Sequence, residues 1–237
     1  MIAENIKSLR QRIESKCFEV KRNSSGIKLI AVSKTHSVDF ISEAFKEGIS
    51  DFGENKAQEF SAKYSRLGDK VTWHFIGHLQ RNKVRYVVPA AGFIHSVDSI
   101  QLASEINKYA ADNNKIQKIL LQVKTSYEES KSGVGNVEEL LELARFCEDC
   151  ANIESAGLMT IAPLTDDITI IRQSFRQLRK LRDNLNSKGF NLKELSMGMT
   201  SDFEIAIEEG ATMLRIGSAI FGERTRQIPG TKDREAS

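Results

Sequence analysis

The sequence predicts an α/β fold, a single-domain (β/α)8 TIM barrel with an extra N-terminal helix. Three observations predict it. The chain has 237 residues, close to the size of about 250 that such barrels typically have. Short β-rich runs alternate with helical patterns along the chain, strand before helix, in eight repeats. No GxGxxG fingerprint follows any of these runs, which disfavours an open doubly wound sheet. Strand–helix alternation with short connections means a parallel sheet, and closure into a barrel is its economical form. The barrel is expected to span residues 1–230, and 231–237 reads as a disordered tail, polar and just beyond Pro229 and Gly230.

In chain order, Ile2, Ile6, Leu9 and Ile13 mark one face of an amphipathic helix. Charges interrupt every apolar run there, so the segment is not a signal peptide. The expected strands are 27–33, 49–53, 71–77, 92–97, 118–123, 153–161, 192–196 and 212–217. Between them, Ala57, Phe60, Tyr64 and Leu67, and later Ile168, Ile171, Phe175, Leu178 and Leu185, have the three-and-four spacing of buried helical stripes. Gly48, Gly189 and Gly210 each follow a helical run, where positive φ ends a helix. Ser201 with Glu204 reads as a capping box opening the helix after the seventh strand.

Composition narrows the function. Lys plus Arg total 34 against 32 Asp plus Glu, a formal charge of +2, which gives no reason to expect nucleic acid or membrane as a partner. No apolar run approaches the roughly 20 residues that span a bilayer. Three cysteines, Cys17, Cys147 and Cys150, fit a reducing cytosol, so a cytoplasmic location is expected. Cys147 and Cys150 form a lone CxxC inside a helical run, better explained by packing than by zinc. His74 and His78, four apart, could face one way, but no Asp or Glu accompanies them at ligand spacing, so no metal is expected. Asp166 and Asp167 read as a loop and helix start. Arg172, Arg176, Arg179, Lys180 and Arg182 read as a basic solvated face.

In a parallel barrel the chemistry sits at the carboxyl ends of the strands. There the sequence places Lys34 after the apolar run LIAVS, Asn55 after the second strand and His78 after the third. Partial desolvation at the barrel mouth would free the Lys34 amine as a nucleophile, although position alone reads equally well as a solvated loop lysine. The stretch from Ser196 through Gly198 to Ser201, and Gly217-Ser218 after the eighth strand, occupy the two positions where barrels commonly bind phosphate. Gly and Ser also end strands elsewhere, but both expected positions are filled. With Lys34, a phosphate-bearing aldehyde becomes the natural ligand.

The segments LIAVSKTH, DFGENKAQE, WHFIGHLQRNK, EESKSGV, GLMTIAP and SMGMTSDFEIAIEEGATMLRIGSAIFGER, over residues 27–224, resemble the YggS/PROSC family of pyridoxal phosphate homeostasis proteins. The resemblance implies a fold-type III barrel similar to the alanine racemase N-terminal domain, without a second β-domain. It implies pyridoxal 5′-phosphate held as a Schiff base on Lys34, with Ser196, Gly198, Gly217 and Ser218 cradling the phosphate. Arg215 would face the pyridine nitrogen, and Asn55, His78 and Met199 would lie near the cofactor. Lys124 stands where Asn is expected and Thr200 replaces a frequent Ser, which puts fine contacts in doubt.

A guanidinium does not stabilise a protonated ring nitrogen, so cofactor beside Arg215 should withdraw electrons poorly. The expected role is therefore to buffer or deliver the cofactor, with no efficient turnover and no catalytic residues. The enzymatic rival is an amino-acid racemase or decarboxylase, and a third reading is a regulatory interaction module. Cofactor-dependent apoenzymes are the expected recipients, and the chain is expected to be a monomer.

Overall fold

The computed structural model describes residues 1–125 and 132–222. Part of the EESKSGV segment (128–131), the last residues assigned to the barrel (223–230) and the expected disordered tail 231–237 lie outside the described residues. Eight parallel strands close into a barrel in sequence order. They are β1 (Lys28–Val32), β2 (Asp51–Glu54), β3 (Thr72–Phe75), β4 (Phe93–Val97), β5 (Gln117–Gln122), β6 (Ile153–Met159), β7 (Glu194–Ser196) and β8 (Met213–Ile216). Each expected run contains its strand or overlaps it, trimmed by a residue or two where the chain leaves the ladder. The ring closes where Ile30 of β1 pairs with Arg215 of β8.

Helices form the outer layer: α1 (Ile2–Glu19), α2 (Val38–Lys46), α3 (Ala57–Leu67), α4 (Val84–Val87), α5 (Ile100–Asp112), α6 (Val137–Glu148), α7 (Ile168–Ser187), α8 (Phe203–Glu208) and α9 (Ser218–Phe221). The stripe of α1 (Ile2, Ile6, Leu9, Ile13, Cys17) is buried against α2, α8 and α9. Asn5 Nδ2 donates to Ile220 O at 2.9 Å, and Arg22 donates to the carbonyls of Ile207 and Ala211, which ties this segment to the far end of the chain. Gly48, Gly189 and Gly210 take φ of 78°, 102° and 101°, as expected for helix stops. No helix among the described residues is long and apolar enough to cross a membrane.

Most of the core lies between strands and helices. Phe60 of α3 sits edge-on to Trp73 and Phe75 of β3 at 5.8 and 5.9 Å, and Phe60→Ala would cost about 3–5 kcal/mol. A second, smaller cluster fills the barrel itself: Ile30, Phe93, Leu120, Ala156, Met159 and Met213. Buried polar side chains share that interior, among them His74, His95, Ser196 and Arg215.

Two local expectations are corrected. The Ser201–Glu204 capping box does not form: Asp202 is the N-cap of α8, and its Oδ1 accepts from Met199 N at 2.5 Å. Glu204 pairs with Arg12 at 3.1 Å instead. The basic face of α7 is not simply solvated. Arg172, Arg176 and Arg179 converge on Glu209, which is only 3% exposed. Asp167 does open α7, its carboxylate accepting from Thr169 N and Ile170 N. Cys147 is packed inside, and burial raises its thiol to about 12, which makes it unreactive.

Candidate functional site

A cavity of about 670 Å³ opens at the carboxyl ends of the strands. Lys34 and His36 enter it from the β1 loop, Asn55 from β2, and Gly77 and His78 from β3. Gln122 to Thr125 come from β5, Ile161 from β6, Met199 to Ser201 from β7, and Arg215, Gly217 and Ser218 from β8. The wall is therefore assembled from seven of the eight strand ends, with Ser132 and Gly222 completing it.

Lys34 is half-buried and sits between two anchored neighbours. Ser33 N donates to Gly53 O at 3.0 Å, and Ser33 Oγ donates to Glu54 Oε1 at 2.6 Å. Thr35, with φ of 69°, donates its N–H to Glu59 Oε1 at 2.5 Å. Lys63 Nζ joins these parts, reaching Ser33 O, Glu54 Oε1 and Glu59 Oε1 at 2.7 Å each. Burial raises the Glu54 carboxyl above its usual range, against the pull of Lys63 and Ser33. The loop thus holds its lysine by charge-assisted bonds on both sides.

Arg215 is the second feature. It is 4% exposed, and its Nη1 and Nη2 donate to Ser196 Oγ at 2.5 Å and Thr160 O at 2.8 Å. Burial lowers its pKa to about 10, with Asp202 pulling the other way, so it stays a cation at neutral pH. The bonded partners are neutral, and the same side chain borders the cavity. A cation so placed suits a ligand atom that offers a lone pair and carries no proton.

The β7 and β8 loops supply hydroxyls to the same cavity. Ser218 Oγ donates to Thr200 Oγ1 at 3.1 Å, and Gly217 lies between β8 and α9. Gly77 is forced: a Cβ there would lie 2.2 Å from Asn55 O, so the close approach of the β2 and β3 loops needs glycine.

The structure brings Lys34, Asn55, His78, Met199, Arg215, Gly217 and Ser218 together on one cavity. Ser196 and Gly198, expected in the phosphate cradle, do not line it. The Ser196 hydroxyl is fully buried between Arg215 and His95. Gly198, with φ of 96°, turns the chain so that Met199 reaches the cavity. His74 and His78 do not act together, because His74 points into the barrel interior, bonded to Asp51 and His95, while His78 lies at the rim.

Sequence reasoning missed Gln122, Thr125, Ser132 and Ile161 on the wall, and it missed His95. A histidine in the apolar run FIHSV, two places from Phe93 and so on the same strand face, was the available signal.

The chain matches the family model described as alanine racemase, N-terminal domain, over residues 2–225. It is 44% identical over 223 residues to the pyridoxal phosphate homeostasis protein of Aquifex aeolicus, covering 93% of this chain and 97% of that protein. The human protein of the same name is 36% identical over 248 residues, with 98% of this chain and 90% of that protein covered. The solved structure of PipY from Synechococcus elongatus with PLP bound matches at a TM-score of 0.83 and 36% identity, over 94% of this chain and 100% of that one. Alanine racemase from Streptomyces coelicolor shares the fold at a TM-score of 0.73 and 18% identity, over 94% of this chain but 58% of its own.

Proposed function

This chain belongs to the alanine racemase N-terminal domain family and, within it, to the pyridoxal phosphate homeostasis proteins; from that premise we propose that it binds pyridoxal 5′-phosphate as a Schiff base on Lys34 and buffers or delivers it. The single observation that carries the reading is the pairing of Lys34 with the buried Arg215 cation on one cavity. The residues present fit the group. Lys34 offers the amine, Arg215 donates toward the ring nitrogen, and Gly217 and Ser218, with Thr200 beside them, offer small donors for the phosphate. Asn55, His78 and Met199 would flank the ring or its edge.

When bound, the cofactor supplies an aldehyde to amines and a ring that withdraws electrons best when its nitrogen is protonated. Arg215 remains protonated itself, so it favours a ring nitrogen that keeps its lone pair. That electrostatic choice supports holding and handing on the cofactor over efficient turnover. Cofactor-dependent apoenzymes are the recipients in this reading, and the protein works as a cytoplasmic monomer.

The test is an absorption spectrum of the purified protein with added cofactor, followed by borohydride reduction and peptide mapping. A visible band and a label on Lys34, both absent in Lys34→Ala, are expected. A colourless wild type, or a label elsewhere, refutes the proposal. Sustained chiral turnover across a panel of amino acids would refute the carrier role.

A further inference from the structure

A continuous line of side chains runs through the barrel interior from its floor to the cavity. At the floor, Asp51 Oδ1 lies 2.8 Å from His74 Nε2 and 3.7 Å from Lys28 Nζ. His74 Nδ1 is 2.9 Å from His95 Nε2, and His95 Nδ1 is 2.9 Å from Ser196 Oγ. Ser196 Oγ in turn accepts from Arg215 Nη1. His74, His95 and Ser196 are fully buried, and His74 is stacked on Phe93 with centroids 5.0 Å apart.

We infer that Asp51, His74, His95 and Ser196 form one oriented hydrogen-bond relay that positions Arg215, so that Ser196 serves the ring-nitrogen end of the site and not the phosphate. The ends of the line fix its direction. A guanidinium can only donate, so Ser196 Oγ must accept from it. The single hydroxyl proton is then free to go to His95 Nδ1, which must be bare. A neutral His95 carries its proton on Nε2 and donates it to His74 Nδ1. His74 then also carries its proton on Nε2, and it donates to the Asp51 carboxylate, which can only accept.

Every group is satisfied in this one direction, whereas the reverse sets a bare His74 Nε2 against the Asp51 carboxylate and leaves the Ser196 proton facing a guanidinium that cannot accept it. A donor-only end and an acceptor-only end, joined by three groups that both give and take, leave no choice of tautomer. Burial pushes His95 well below its ordinary value and lowers His74 too, which agrees with two neutral rings. The second bond of Arg215, to Thr160 O, fixes the plane of the fork, so Ser196 and Thr160 together set where the remaining donors aim. Ser196 and His95 are positioning residues: they act on a ligand only through Arg215.

The consequence for the cofactor rests on the function proposed above, whereas the relay itself does not. The first arm of the test therefore uses cofactor-free protein labelled with ¹⁵N-histidine. Ring-nitrogen spectra should show His74 and His95 neutral and protonated on Nε2. Asp51→Ala should shift the His95 resonances although Asp51 does not touch that ring. A proton on His95 Nδ1, or a doubly protonated ring, overturns the relay.

The second arm titrates Ser196→Ala with pyridoxal phosphate and with pyridoxal, which lacks the phosphate. Both should bind about tenfold more weakly, since a buried charged donor loses its acceptor, and Ser196→Thr should restore most of the loss. A loss confined to pyridoxal phosphate would assign Ser196 to the phosphate and overturn the inference. If the wild type binds neither compound, the proposed function fails, and the histidine spectra still decide the relay.

Discussion

Lys63→Met isolates what holds the reactive loop. Methionine keeps the length of the stem and removes the ammonium that bonds Ser33 O, Glu54 Oε1 and Glu59 Oε1 at 2.7 Å each. Glu54 is fully buried and already has one oxygen, Oε2, without a hydrogen-bond partner among the described residues. Taking one partner from a buried ion pair costs about 3–5 kcal/mol, and in a domain of this size each kcal/mol moves the melting temperature by roughly 2–4 °C. The expected fall is therefore on the order of 10 °C, read by calorimetry and by denaturant unfolding.

The same variant carries a pH signature. The folded Glu54 carboxyl sits above its ordinary 4.5 because burial outweighs Lys63 and Ser33. The folded chain keeps this proton where the unfolded chain has lost it, so stability declines as pH rises from 4.5 through the folded value. Without Lys63 the opposing cation is gone, and the decline should reach to higher pH. Replacing the carboxylate as well, in Lys63→Met/Glu54→Leu, should recover most of the loss. A single variant within about 1 kcal/mol of wild type, well under the buried-pair cost, would refute the reasoning. So would a double variant no more stable than the single one.

Gly198→Ala forces a Cβ to within 2.7 Å of Ala206 Cβ at a φ of 96°. It should cost about 2–4 kcal/mol in denaturant unfolding, and an unchanged midpoint would contradict the geometry. Glu209→Gln weakens the clamp on Arg172, Arg176 and Arg179. Burial works to raise the Glu209 carboxyl, but hydrogen bonds from Arg176 and Arg172 and the nearby guanidinium charges hold it below 4.5. Its contribution is present above 4.5 and lost as pH falls through the folded value. The variant should therefore lose roughly 1–2 kcal/mol at neutral pH and show a flatter acid limb in a stability-against-pH curve. Thr200→Ala and Ser218→Ala test the phosphate end. Each should weaken pyridoxal phosphate by about tenfold or more and leave pyridoxal binding unchanged in the same titration.

What the sequence made legible was local. The strands show as short apolar runs, the helices as stripes such as Phe175, Leu178 and Leu185, and their ends as Gly48, Gly189 and Gly210. Strand order then told which end of each run carries chemistry, and Lys34, Asn55, His78, Arg215 and Ser218 all reach the cavity from there. What stayed hidden depends on pairs distant in sequence. The spacing of His74 and His78 allowed both to face one way, but His74 bonds inward to Asp51 and to His95 on the next strand. The arginines of α7 looked like a solvated face because Glu209 lies beyond β7 and α8, more than a helix away in sequence. Ser196 stands where barrels often bind phosphate, but its side chain does not line the cavity. Strand alternation turns its side chain inward, where Arg215 reaches it from β8.

The polar interior also explains how a cation can border the cavity without a carboxylate in direct contact with it among the described residues. Asp202 is the nearby acid that opposes the lowering of the Arg215 pKa, but its Oδ1 caps Met199 N, and burial raises its own carboxyl. A carboxylate in direct contact with Arg215 would neutralise the field that the cavity meets. Neutral acceptors, Ser196 Oγ and the Thr160 carbonyl, orient the guanidinium while leaving its charge to act on whatever binds. A hydroxyl acceptor can do this in a buried site only if its own hydrogen has somewhere to go, and among the described residues His95 is the acceptor for the Ser196 hydrogen. The carboxylate that ends the line lies at the floor of the barrel, two imidazole rings away from Ser196. On the proposed function, a ring nitrogen facing Arg215 would meet a cation held by neutral acceptors, an arrangement that would hold a cofactor without strengthening it as an electron sink.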